Sequence, residues 1–187
     1  MRPTKREQLL ATAERLFYEE GFHATGVDRV IAEAGVARMT LYKHFPSKEA
    51  LIEATLIRRQ GRYRDDLIQA VNGAQPGAAV TGVIECHGRW LRTEARAGCM
   101  VIKAIAEFER HASGIATVGR ALKQELTGVI QAALERDGAP AGEAEAERIL
   151  MLLEGANALV PVLGPERVMQ RLWEMLAAAG PTHGSPA

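Results

Sequence analysis

Cysteine is scarce in this chain of 187 residues: Cys86 and Cys99 are the only two. Two cysteines supply neither a disulfide framework nor a structural zinc site on their own. The chain therefore reads as reduced and intracellular, hence cytoplasmic, with room for one labile disulfide at most. A secretory signal is also missing, because Glu7, Glu14 and Arg15 interrupt the apolar residues that follow Arg2, Lys5 and Arg6. The longest uncharged stretch, Leu67 to Ile84, has 18 residues but contains Gln69, Asn72, Gln75, Pro76, Thr81 and three glycines, which suits a helix–loop–helix boundary and not a membrane span. Strand signals are nearly absent. The two turn-type dipeptides, Asn72-Gly73 and Asp137-Gly138, fall at expected helix ends. Neither sign of charge prevails, with 23 Lys+Arg against 23 Asp+Glu.

What is present is a 3.6-residue apolar period along nearly the whole chain, which predicts an all-α protein of about nine helices. Charge is distributed unevenly: residues 1–64 carry a net +4 and residues 65–187 a net −4. A basic front and an acidic rear are expected where only the front meets a polyanion. The first helix is predicted over Lys5–Glu20, opened by a Thr4/Glu7 capping box and stopped by Gly21. A second box, Thr25 with Asp28, is expected to open a helix that ends at Ala34, before Gly35. The third is short, about Ala37–His44, and is closed by Pro46. The fourth starts at the cap Ser47 and runs to about Ala70. Further helices are predicted at about Ala78–Thr93, Gly98–Arg110, Ile115–Arg136, Glu143–Leu163 and Glu166–Ala178. The tail, 180–187, is Gly/Pro/Ser-rich and expected to be disordered. The expected domains are 1–50 and 51–179.

Between Val27 and Phe45, two short helices flank a three-residue turn containing Gly35, the spacing of a helix-turn-helix. Val30, Ile31, Val36, Leu41 and Phe45 can form its core. Ala37, Arg38, Met39, Thr40, Tyr42, Lys43 and His44 are then left near or on the open face. That mixture suits a major groove: Arg reads guanine O6 and N7, small and methyl-bearing groups meet a thymine methyl, and Tyr, Lys and His hold phosphates.

The run from Gly21 to Val27, then Ile31-Ala32 and Ala34-Gly35-Val36, then Thr40 to Leu51 (TLYKHFPSKEAL), resembles the N-terminal domain of TetR-family transcriptional regulators. Met39 departs from the glycine common at that place. The resemblance implies a homodimer on a near-palindromic double-stranded DNA operator, released by a small-molecule effector. It implies phosphate contacts from Thr25, Tyr42, His44 and Lys48, and a groove-facing set of Ala37, Arg38, Met39, Thr40 and Lys43. Lys5 and Arg6 are open to two readings, a backbone or minor-groove contact or an ordinary basic first turn.

The segment Gly98-Cys99 … Glu107-Phe108 resembles a signature of one branch of the family's C-terminal domain. Cys99 at a helix start is either a redox or electrophile sensor or a small packing residue. The effector pocket is expected among the fourth to eighth helices, with Trp90, Met100, Lys103, Ile105, Glu107, Phe108, Met151 and Leu152 as candidates. The dimer surface is expected on the last two helices, from Leu153, Ala156, Leu159 and Val160 and from Val168, Met169, Leu172, Trp173 and Leu176. His87 and His111, with Glu85 or Glu107, match no metal-site spacing. No nucleophile-elbow, zincin, P-loop or dinucleotide fingerprint is present, so no catalytic residue, metal or cofactor is assigned. The chain is expected to act as a regulator and not as an enzyme, as a repressor or alternatively an activator.

Overall fold

The computed structural model describes residues 3–111, 113–139 and 142–178. Among these, every regular element is an α-helix: α1 Lys5–Glu20, α2 Val27–Ala34, α3 Arg38–His44, α4 Lys48–Gly73, α5 Ala79–Thr93, α6 Met100–Phe108, α7 Ser113–Arg136, α8 Glu143–Leu163 and α9 Pro165–Ala178. The tail expected to be disordered lies outside the described residues.

Local chemistry accounts for most helix ends. The Thr4 hydroxyl accepts from Glu7 N, and the Glu7 carboxylate accepts from Thr4 N, at 3.2 and 2.7 Å. Together they satisfy two donors that the first turn leaves open. Gly35 closes α2 in the left-handed region (φ 60, ψ 42), where a Cβ would be strained. The Ser47 hydroxyl accepts from Ala50 N at 3.1 Å and opens α4.

Three ends differ from expectation. The Thr25/Asp28 box does not form: Gly26 occupies the cap of α2 with no side-chain bond, and Thr25 is fully buried. Its hydroxyl donates to Leu16 O at 3.3 Å, fastening the end of α1 to the start of α2. Helix α6 is shorter than its apolar period suggests, because Gly98 takes a positive φ of 93 and the helix starts only at Met100. Helix α5 is opened by a residue from far along the chain: Asp137 accepts from Ala79 N at 2.7 Å and from Val80 N at 2.9 Å.

The chain forms two compact units. The first comprises Met1–Arg62 with Met100–Lys123, so α1–α3, the front of α4, α6 and the front of α7 belong together. Leu9, Leu16, Leu41, Leu51, Ile52, Leu56 and Ile115 are its largest fully buried apolar side chains. At Gly119 a Cβ would lie 2.6 Å from Ile105 Cγ1, so only glycine permits this approach of α7 to α6. The second unit comprises Tyr63–Cys99 with Gln124–Ala187, and its core is built on Leu67, Ile84, Leu91, Leu126, Ile130 and Ile149. These are compactness units; the 1–50 and 51–179 division expected from sequence is a division of roles.

Candidate nucleic-acid interface

Helix α3 turns Leu41 (0% exposed) and Phe45 inward, and this fixes what points out. Ala37 caps the helix and is exposed, its carbonyl accepting from Thr40 N at 2.9 Å. Arg38, Met39, Tyr42, Lys43 and His44 are exposed, and Thr40 is half-buried. Met39 is 78% exposed, an apolar side chain left largely uncovered by the described residues. Most of the expected groove-facing set therefore does share one open face. Arg38 is engaged there: its guanidinium donates to Asp28 at 2.5 Å, and both side chains remain largely in solvent. Asp28 pairs with Arg38 and not with Thr25.

Two expected phosphate contacts look different in the structure. Thr25 offers no exposed side-chain atom, and its N–H is also engaged, donating to Gly21 O at 3.3 Å. Lys48 is half-buried at the start of α4 and donates to the carbonyl of His23 at 3.5 Å. Near the front of the chain, the Arg6 guanidinium sits 5.4 Å from the Phe45 ring.

A buried ionic clamp absent from the sequence reading joins α1 to α4. Glu14 is 6% exposed and accepts from Arg58, from Arg59 at 3.0 Å, and from Arg62 at 2.9 and 2.7 Å. Burial pushes the Glu14 carboxyl up, but the Arg62 and Arg59 hydrogen bonds and charges outweigh this and hold it below the usual carboxylate value. The Arg59 guanidinium also lies over the Tyr18 ring at 4.4 Å.

The eight expected effector residues are not brought together within either unit. Met100, Lys103, Ile105, Glu107 and Phe108 fall in the first unit. Met100 and Phe108 are buried, with Phe108 edge-on to Phe22 at 5.6 Å. Glu107 pairs with His23 at 3.2 Å, Lys103 reaches to 5.7 Å from the Tyr18 ring, and Ile105 packs on Gly119. Trp90, Met151 and Leu152 fall in the second unit. Trp90 lies 5.0 Å from Tyr63, while Met151 and Leu152 line a groove of about 200 Å³ between α8 and α9.

The expected dimer residues also divide. Leu153, Ala156, Val160, Val168, Met169 and Leu172 are buried in the unit's own core. Leu159 and Trp173 are exposed, and Leu176 is half-buried. Helix α8 carries two apolar stripes. Ile149, Leu153, Ala156 and Val160 face inward, whereas Met151, Leu159 and Val162 remain uncovered, as does Met175 on α9. Uniform hydrophobicity hid the second stripe, because an apolar residue on either face reads the same.

Gln60 Nε2 in the first unit and Asn157 Oδ1 in the second are among the buried polar side-chain atoms with no hydrogen-bond partner among the described residues. Neither cysteine is in a disulfide among the described residues: Cys86 is buried, its thiol pushed up by burial, and Cys99 is half-buried. Among the described residues, no helix is long and apolar enough to cross a membrane.

Residues 9–55 match the family described as "Bacterial regulatory proteins, tetR family". Over 138 residues, 71% of this chain and 62% of the relative, the sequence is 33% identical to the HTH-type transcriptional regulator EthR of Mycolicibacterium smegmatis. Over 73 residues, 39% of this chain and 32% of the relative, it is 40% identical to the HTH-type transcriptional activator FasR of the same species. The chain thus spans less than two thirds of the length of either curated relative. The crystal structure of a TetR-family transcriptional regulator from Streptomyces coelicolor superposes with a TM-score of 0.85 at 31% identity, covering 93% of each chain. A helix-turn-helix with an open recognition face, an all-helical remainder and a relative matched almost end to end agree: the chain belongs to the TetR family of DNA-binding transcriptional regulators.

Proposed function

We propose that the protein is a homodimeric repressor that binds a near-palindromic operator and is released by a small-molecule effector. In this reading residues 1–50 hold the DNA-reading head, and residues 51–179 sense the effector and form the dimer. It acts in the cytoplasm, where its DNA lies. The observation that carries the reading is the outer face of α3, where Met39, Tyr42, Lys43 and His44 stand exposed beside Arg38 with no element of the described residues over them. Arg38 and Lys43 are placed to read base edges, and Tyr42, His44 and Lys48 to hold phosphates.

The coupling follows from which elements share a unit with the head. Glu107 on α6 holds His23 in the α1–α2 turn, and the carbonyl of His23 accepts from Lys48. A shift of α6 therefore reaches a phosphate-holding lysine through two polar contacts, while Phe22 and Phe108 carry the apolar part of the same joint. An effector that binds better to the shifted state weakens operator binding, and the operator weakens effector binding by the same factor.

The test is a gel shift and footprint on the DNA upstream of the protein's own gene. Two protected half-sites related by a dyad, about 34–36 Å or a wider multiple apart, are expected. Protection without dyad symmetry, or binding indifferent to sequence, removes the reading. Transcription that rises when the protein is bound assigns an activator in place of a repressor.

A further inference from the structure

One flank of α8 in the second unit carries more acceptor capacity than the fold uses. Asn157 is 5% exposed, and its Nδ2 donates to Glu154 Oε2 at 3.2 Å. A carboxylate can only accept, so this bond fixes the amide and directs Oδ1 elsewhere as an acceptor. Oδ1 has no donor among the described residues. Four residues on, Pro161 sits inside the helix. It has no N–H to return to the main-chain carbonyl of Asn157. Two carbonyl oxygens and one carboxylate thus gather on a single flank, at one residue and its neighbour three positions back.

The same unit supplies aromatic surface. Tyr63 and, packed against it, Trp90 belong to the apolar core that contains Leu153 and Ala156, the α8 residues bordering this flank. Their rings lie 5.0 Å apart, and Tyr63 Oη is held at 2.7 Å from His87 Nδ1. Glu154 is near enough that its charge adds to the burial that raises the Tyr63 phenol.

From this arrangement we infer that the Glu154–Asn157–Pro161 flank binds the nitrogen of an organic ammonium ion whose apolar body rests against Trp90 and Tyr63. The inference rests on the effector-responsive reading above and names the chemical class of the effector. An ammonium presents several N–H donors from one atom, which suits two carbonyls and a carboxylate at once. Aromatic faces attract a cation. An anion of equal size meets Glu154 with like charge and finds no use for the spare acceptors.

The test is calorimetric titration of the full-length protein with 4-phenylbutylamine, against 4-phenylbutanoate as the matched anion. Saturable binding of the amine at one site per subunit, at least tenfold tighter than the acid, is expected. Asn157→Leu removes the acceptor and should weaken the amine at least threefold without lowering the melting temperature, since it also removes a buried unpaired oxygen. Glu154→Gln should weaken it at least threefold. The site is overturned if the two compounds bind alike, if the amine does not bind, or if Asn157→Leu leaves its affinity within threefold. An amine that passes these tests yet leaves operator affinity unchanged keeps the site and removes the effector reading. Absent amine binding with the operator complex intact removes the site and leaves the regulator.

Discussion

The guanidinium of Arg38 is claimed twice. In the free protein it is paired with Asp28, and in the proposed operator complex it takes guanine O6 and N7. The exposed pair contributes little to stability, about 0–1 kcal/mol, so DNA can displace it at small cost. Arg38→Ala should therefore leave the melting curve nearly unchanged while costing about 1–3 kcal/mol at one base position per half-site. Binding to operators substituted base by base checks this, and a loss spread evenly over all positions would contradict it. Asp28→Asn frees the arginine without removing it. Affinity for random duplex should rise, its salt dependence should steepen, and the operator-to-random ratio should fall. Met39, left largely uncovered by the described residues, is a further residue-scale test: Met39→Ala should stay within about 0.5 kcal/mol in stability while losing discrimination at a thymine.

Between elements, the decisive contact is the clamp of Glu14 on α1 by Arg58, Arg59 and Arg62 on α4. Glu14 and Arg59 are nearly buried, whereas Arg58 and Arg62 keep about a third of their side chains in solvent. Removing the carboxylate leaves Arg59 buried without its counter-charge, so Glu14→Gln should cost about 3 kcal/mol. The folded carboxyl titrates below its ordinary value, so the stabilisation is present above the unfolded value near 4.5 and is lost as pH falls through the lower folded value. Native protein and Glu14→Gln should thus differ most in denaturant midpoint at neutral pH, and the gap should close as pH falls below 4.5 towards the lower folded value. A gap that persists in acid would remove the ionic explanation.

The same elements show what the sequence makes legible. Thr4 with Glu7, Gly21, Gly35 and Ser47 act within a turn of themselves, so α1 and the ends around α3 and α4 could be placed from neighbouring residues. Thr25 and Asp137 cap or fasten elements 9 and 58 residues away, and Glu14 meets Arg58 across 44, so no local pattern exposes them. The exposed face of α3 was legible because Leu41 and Phe45 set its phase. The effector candidates divide between the units, Met100 to Phe108 in the first and Trp90, Met151 and Leu152 in the second, and no local pattern carries that division.

At the scale of the whole molecule, the question is what covers the outer stripe of α8 and α9. Met151, Leu159, Val162 and Met175 are 67, 49, 76 and 53% exposed, and a groove of about 200 Å³ runs beside three of them. An uncovered apolar stripe of this kind is the surface on which the proposed association would rest. In the proposed dimer a second copy offers the same stripe about a two-fold axis, giving a four-helix packing. Leu159→Glu places a charge in that packing without touching the unit's own core. It should yield a folded monomer by sedimentation, with its helical signal retained. Leu153→Ala should do the opposite: about 2–5 kcal/mol of stability lost from a cavity, with association unchanged wherever the protein is folded. The monomer should bind a full operator only as it binds a single half-site, because the second head no longer arrives at the high effective concentration that the dimer provides. Five base pairs inserted between the half-sites should impose the same loss on the native protein, since they rotate one half-site to the opposite side of the duplex. If Leu159→Glu remains dimeric, the outer stripe is not the interface. If it becomes monomeric yet binds the full operator undiminished, dimerisation does not set the reading distance.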